Sequence, residues 1–201
     1  MVWGCLLFAM TIVGGVLAWV DNPSLISSTA PIVSLTSGPN SGQLERIWQT
    51  KTDLDNQRWT HIVIDHSGAT HGSGDSLTVE HIKRGYQGLG YHFVVGNGRG
   101  AEDGSVFVGY RWLEQLPGAH TAGAQGDYLN RHAIGICLVG NGDRKPFSDA
   151  QMQRLVDLVR LLQRQLDIPD ECVLLHRNVA STSAPGRHFS EPLFRERLQS
   201  F

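Results

Sequence analysis

The 201-residue sequence has no lysine or arginine before Arg46, and that absence divides the chain. All 17 basic residues, and all of the 19 acidic ones except Asp21 and Glu45, lie from residue 46 onward. The two signs balance there without a basic run, which argues against nucleic acid as the main partner. Cysteine is equally scarce. Cys5, Cys137 and Cys172 are too few for a disulfide framework, and each reads as a buried thiol packing as a small hydrophobe. A Cys137–Cys172 bridge stays open for an exported chain. No internal repeat is present. Hydrophobic residues make up 41% and charged ones 18%, a globular rather than a disordered composition. The length allows one ordinary domain plus extensions.

Val2 to Val20 carries no charge and is interrupted only by Gly4, Thr11, Gly14 and Gly15. A helix of about 19 residues reaches ~28 Å, enough for a bilayer core. Trp3 and Trp19 at its ends suit interfacial anchoring. No basic stretch precedes it, and Ala18-Trp19-Val20 is a poor cleavage site. Residues 1–20 are therefore expected to be a hydrophobic transmembrane helix, with a signal peptide as the alternative. Either would attach the chain to a membrane or export it to the cell envelope, outside the cytoplasm. Residues 21–57 are rich in Ser, Thr, Pro, Gly and Asn without periodicity, which is linker composition. The domain is expected over 58–201.

Within it, apolar runs alternate with helical patterns. His61–Ile64, Tyr91–Val95, Val106–Val108, Ala133–Val139 and Cys172–Leu175 read as strands. Thr78–Gln87 reads as a helix capped by Ser76 or Thr78. Ser148 opens the clearest helix, with Gln151 completing a capping box. Met152, Leu155, Val156, Val159, Leu162 and Leu166 then keep one apolar face, and Pro169 ends the element. Interleaved strands and helices define an α/β domain.

All nine histidines lie between His61 and His188. Four segments put polar residues at the ends of apolar strands, where α/β ligand sites form. They are Ile62-Val-Ile-Asp-His-Ser67, Gly90-Tyr-His-Phe-Val-Val95, Gly118-Ala-His-Thr121 with Asn130 to Val139 after it, and Leu175-His-Arg-Asn-Val-Ala180 leading to Ala184-Pro-Gly186. The two Gly-Asn-Gly stretches, 96–98 and 140–142, do not open helices directly and read as turns.

In this order the four segments resemble the type-2 N-acetylmuramoyl-L-alanine amidase and peptidoglycan recognition protein family, over about residues 59–190. Tyr91-His92-Phe93, the 134–140 block with Asn130 ahead of it, and the strand delivering His176 carry the likeness. The resemblance implies a central mixed β-sheet flanked by helices. It also implies Zn²⁺ held by two histidines and a third ligand, Cys or Asp, with one position open for water and for the amide joining muramic acid to L-alanine. Carried over, the second metal histidine is His176, the catalytic tyrosine is Tyr91, and Thr182 holds the accessory proton-handling position. His120 matches a position lining the stem-peptide groove, and Asn130 is expected to fix a turn and border the same groove. His92 is expected to be structural, and His71, His81 and His132 to lie at the surface. The first ligand falls on Asp65 when counted from Trp59, and on His66 when counted back from Ala69-Thr70. Adjacent strand residues face opposite ways, so only one can serve. The third ligand position is Ala184, whose methyl group cannot coordinate metal; Ser183 or His188 are the nearest substitutes. Two functions follow from the resemblance: a zinc amidase acting on peptidoglycan, or a module binding peptidoglycan or muropeptides without cutting them.

Overall fold

The computed structural model describes residues 41–200. The expected N-terminal anchor lies outside them, and no helix among the described residues is long and apolar enough to cross a membrane. Along the chain the elements are α1 (Ser41–Glu45), a 3-10 turn (Arg46–Trp48), β1 (His61–His66), α2 (Gly74–Lys83), β2 (Phe93–Val95), β3 (Val106–Val108), α3 (Tyr110–Leu113), α4 (Gly126–His132), β4 (Ala133–Leu138), α5 (Asp149–Leu166), a 3-10 turn (Asp170–Cys172), β5 (Val173–Leu175), α6 (His176–Val179) and α7 (Glu191–Gln199).

The strands form one sheet in the order β3-β2-β4-β1-β5. β1 runs parallel to β4 and β5, β2 runs parallel to β4, and only the β2–β3 hairpin is antiparallel. This is the expected mixed sheet. β4 is buried along its whole length, as its unbroken apolar run requires.

Register decides what each face carries. Ile62 pairs with Ile134, Ile64 with Ile136, and Phe93 with Ile136, so these residues share one face. That face packs with Leu155, Leu158, Val159 and Leu162 of α5 in the main core. On the reverse face Asp65 pairs with Cys137, which pairs with Val94. α5 is held at its start by the expected box: Ser148 Oγ accepts from the Gln151 N–H at 3.0 Å, and the Gln151 side chain answers the Ser148 N–H. The Gln151 amide also donates to the carbonyls of Val95 and Val139, stitching α5 to the ends of β2 and β4. The helix stops at Leu166, before Pro169, with Asp167 in the left-handed region at φ 54°.

Three expectations shift. α2 starts at Gly74 and ends at Lys83, because Ser73 is its cap and Ser76 is the reciprocal third residue. Part of the expected linker belongs to the folded unit: Ile47 is wholly buried, Leu44 is buried, and the Ile47 carbonyl accepts from the Trp112 indole at 2.6 Å. Cys137 and Cys172 are both free, so the bridge left open by the sequence is not formed.

Candidate functional site

The reverse face of the sheet holds a polar cluster. Asp65, near the end of β1, accepts a hydrogen bond from the Tyr91 hydroxyl at 2.7 Å through Oδ2. His176, the first residue after β5, brings Nδ1 to 3.0 Å from the same oxygen. Asp65 Oδ1 accepts from the His66 N–H at 2.7 Å. Burial alone would raise the Asp65 pKa. The His176 ring, the Tyr91 hydroxyl and the His66 amide outweigh it and hold the carboxyl below its ordinary range. Tyr91 is displaced the other way. Burial, with Cys137 and Asp65 close by, pushes its pKa well above the usual phenol value, so it is a fixed proton donor.

The choice between Asp65 and His66 is settled by the pleat. Asp65 shares its face with Cys137, and His66 turns to the opposite side with Leu138. There His66 Nδ1 sits 2.9 Å from the Pro185 carbonyl oxygen and 3.0 Å from the Gly142 N–H. His66 is therefore not a donor to the cluster, a correction to the count made back from Ala69.

His120 is buried and stacks on Tyr91 with ring centres 6.2 Å apart. Its Nδ1 meets Thr121 Oγ1 at 2.9 Å and its Nε2 meets the Ala133 carbonyl at 3.2 Å. The ring lies flush on main chain: a Cβ at Gly135 would come within 2.3 Å of it. Burial lowers its pKa to about 4. His120 thus supports Tyr91 from behind instead of presenting free nitrogens to a groove. Asn130 accepts from the amides of His120 and Thr121 and donates to the Thr121 carbonyl, so its amide is used in fixing that loop. Thr182 is exposed, and its hydroxyl oxygen accepts from the Ala184 N–H at 3.2 Å. His92 is structural: it is wholly buried, accepts from the Gly135 N–H and faces the Leu116 carbonyl.

Two neighbours of the cluster escape sequence reasoning. His81 stands against Tyr91 at 5.6 Å and accepts from the Gly90 N–H at 2.9 Å; its place four residues after the buried Leu77 was the available signal. Cys137 flanks the Tyr91 hydroxyl. Its alternation against Ile134, Ile136 and Leu138 puts it on the polar face.

Zinc fits this donor set only in part. Both ring nitrogens of His176 are buried with no hydrogen-bond partner, although Nδ1 lies within ion-pair range of Asp65. Such an orphaned pair beside a carboxylate is what two ligands of one ion look like. The position that the resemblance gives the third ligand is Ala184, 2% exposed, whose carbonyl accepts from the amide of Arg177 at 2.8 Å. Among the described residues no group of three His, Cys, Asp or Glu side chains could hold a metal. Two donors and a methyl group do not make the three-ligand catalytic zinc centre.

A mixed α/β sheet with a Tyr–Asp–His cluster on one face defines a domain of the peptidoglycan amidase type. The family model described as N-acetylmuramoyl-L-alanine amidase matches residues 55–188, and the chain belongs to that family. It is similar to the endolysin of Klebsiella phage KP32, 28% identical over 145 residues, covering 68% of this chain and 87% of that protein. Among solved structures it resembles the N-acetylmuramoyl-L-alanine amidase LysC from Clostridium intestinale URNW, 27% identical with a TM-score of 0.61, over 75% of this chain and 92% of the other. It also shares its fold with peptidoglycan recognition protein LE, solved in complex with tracheal cytotoxin (monomeric diaminopimelic acid-type peptidoglycan). That match is 23% identical with a TM-score of 0.53, over 68% of this chain and 79% of the other.

Proposed function

We propose that this domain binds peptidoglycan fragments, muropeptides in particular, at the Asp65–Tyr91–His176 cluster, and holds them without hydrolysis. One observation carries the reading: Asp65 already has its Oδ2 engaged by Tyr91, and the position to which the family resemblance assigns the third metal ligand is Ala184, a methyl group. Family membership and the fold shared with a muropeptide-bound recognition protein support the ligand class. Intact peptidoglycan lies outside the cytoplasm, and the apolar segment at residues 2–20 supports a place for the domain in the cell envelope.

In this site Tyr91 donates to Asp65 and keeps the carboxylate ionised. His120, braced by Thr121 and the Ala133 carbonyl, fixes the Tyr91 ring. His176 Nδ1 faces Asp65 at 3.0 Å, while its Nε2 is buried without a protein partner, and a ligand amide or hydroxyl supplies the missing one.

The amidase reading is favoured by one specific feature, the orphaned His176 nitrogens beside Asp65. Zinc analysis of the purified chain after dialysis against a metal buffer separates the two. Zinc well below one ion per chain, together with saturable muropeptide binding, is the expected result. One zinc per chain and release of stem peptide, both lost in His176→Ala, would establish the amidase instead.

A further inference from the structure

A column of rings runs from Tyr91 to the N-terminal segment 44–48. Tyr91 stacks on His120, which meets the edge of His92 with ring centres 5.7 Å apart. His92 lies edge-on to Trp59 at 4.8 Å, and Trp59 packs on Trp112 at 6.0 Å. At the far end the Trp112 indole donates to the Ile47 carbonyl, and the Trp48 ring stands 5.8 Å away. The column has no slack. A Cβ on Gly118 would fall 2.3 Å from the His120 ring and 3.1 Å from that of His92. Packing this close passes a displacement on instead of absorbing it.

Gln115 holds the column at its middle. Its backbone is left-handed, at φ 51°, which is costly for a residue with a Cβ. Both ends of its buried amide are used: Oε1 accepts from the Trp59 indole at 2.7 Å, and Nε2 donates to the Trp112 carbonyl at 2.7 Å. Its own carbonyl accepts from Arg58, and the next carbonyl, of Leu116, faces His92 Nε2 at 3.1 Å. One strained residue therefore fixes Trp59, Trp112 and His92 together. Glycine would relieve the backbone but would remove the amide that bridges Trp59 and Trp112. The N-terminal segment docks on the same frame: Leu44 and Ile47 lie in the main core, and the Lys51 N–H donates to the Leu113 carbonyl at 2.7 Å.

We propose that Gln115 is a positioning residue for the Tyr91–Asp65 pair, acting through Trp59, His92 and His120, and that it couples the pair to the docking of segment 44–48. A shift of Trp59 or Trp112 bears on His92, and His92 bears on the ring that seats Tyr91. Coupling of this kind is reciprocal: what the docked segment adds to ligand affinity, the ligand adds to docking. A tether or partner acting on segment 44–48 thereby reaches a site that it does not touch. The affinity part rests on the muropeptide reading above, and the positioning part does not.

The test uses the full chain and two amides as reporters: Gly135, whose N–H donates to His92 Nδ1 at 2.9 Å, and Lys51. Gln115→Ala and Gln115→Gly are compared, since glycine suits the left-handed backbone and neither residue restores the amide. Both are expected to speed hydrogen exchange at Gly135 by a larger factor than inside α5. Both should weaken muropeptide binding by roughly 2- to 30-fold, the range for residues that touch neither ligand. Ile47→Ala should speed exchange at Gly135 as well, and saturating muropeptide should slow exchange at Lys51 in the wild type. Should Gln115→Ala not fold, Trp112→Phe takes its place, because it drops the bond to Ile47 and keeps a ring. Recovery of wild-type behaviour in Gln115→Gly would assign the effect to backbone strain and overturn the proposal. Equal acceleration at Gly135 and in α5, the mark of a merely structural role, would overturn it too, as would an unchanged Kd. If the wild type binds no muropeptide, the proposed function fails, and exchange at Gly135 alone decides the positioning role.

Discussion

The two faces of the sheet are built to opposite rules. The face under α5 is apolar up to His66 at the end of β1, with Ile62, Ile64, Phe93, Ile134 and Ile136 wholly buried. The reverse face interrupts its apolar residues with Asp65, Tyr91 and His120, and brings in His176, whose Nδ1 meets Asp65 and whose Nε2 has no partner. Burying polar groups costs stability unless each is paired. One face therefore supplies the cohesion that lets the other keep an incompletely satisfied cluster. Stability and recognition are separated by the two-residue period of the strands.

The largest expected effect lies on the apolar face. Leu162→Ala leaves a cavity under α5 and should cost about 2–5 kcal/mol in urea unfolding, with muropeptide affinity unchanged wherever the protein is folded. A cost below about 1 kcal/mol would mean that the α5 face is not the source of cohesion.

Acid should act on the polar face. Burial depresses the pKa of His120 from 6.5 to about 4, and that of His92 well below its ordinary value. A histidine with a lowered folded pKa takes up its proton more readily once unfolded. Stability is therefore complete above pH 6.5 and declines as the pH falls toward 4, by about 3 kcal/mol for His120. Replacing His120 by Gln should flatten this slope. A slope unchanged by the substitution would place the acid sensitivity elsewhere.

Asp65→Ala probes the cluster itself. It removes the acceptor of the Tyr91 hydroxyl and the neighbour of His176, at an expected cost of about 1–3 kcal/mol. Muropeptide affinity should fall along with stability. His176→Ala should instead lower affinity with the smallest loss of stability of the series, because it removes one contact to Asp65 and leaves the Tyr91–Asp65 bond in place. Equal stability losses for the two would show that His176 is held by the fold and is not reserved for a ligand.

Much of this arrangement is legible in the sequence, for reasons that are local. The β4 run and α5 announce themselves through composition and period, and the Ser148–Gln151 box fixes where α5 begins. Tyr91 and His176 follow from the family resemblance, and they meet at one carboxylate. The position of Asp65 relative to His66 was not legible, because it depends on which residue pairs with Cys137 across the sheet. The role of residues 44–48 was hidden for another reason: a helix of five residues and a 3-10 turn are too short to show periodicity, so Ile47 read as linker although it is fully buried. Ser73 and Ser76 bond to each other reciprocally, so the cap lies ahead of both residues read as candidates, Ser76 and Thr78. The Ser183–Asp143 hydrogen bond joins residues 40 apart, a distance at which no local pattern speaks.

The most direct test of the central claim is to incubate the full chain with a defined muropeptide and excess Zn²⁺, and to follow stem-peptide release by mass spectrometry beside binding by calorimetry. The two-donor site predicts saturable binding with no released peptide. Release of the stem peptide by the wild type, abolished by His176→Ala, would contradict it and make this chain an amidase despite the methyl group at residue 184.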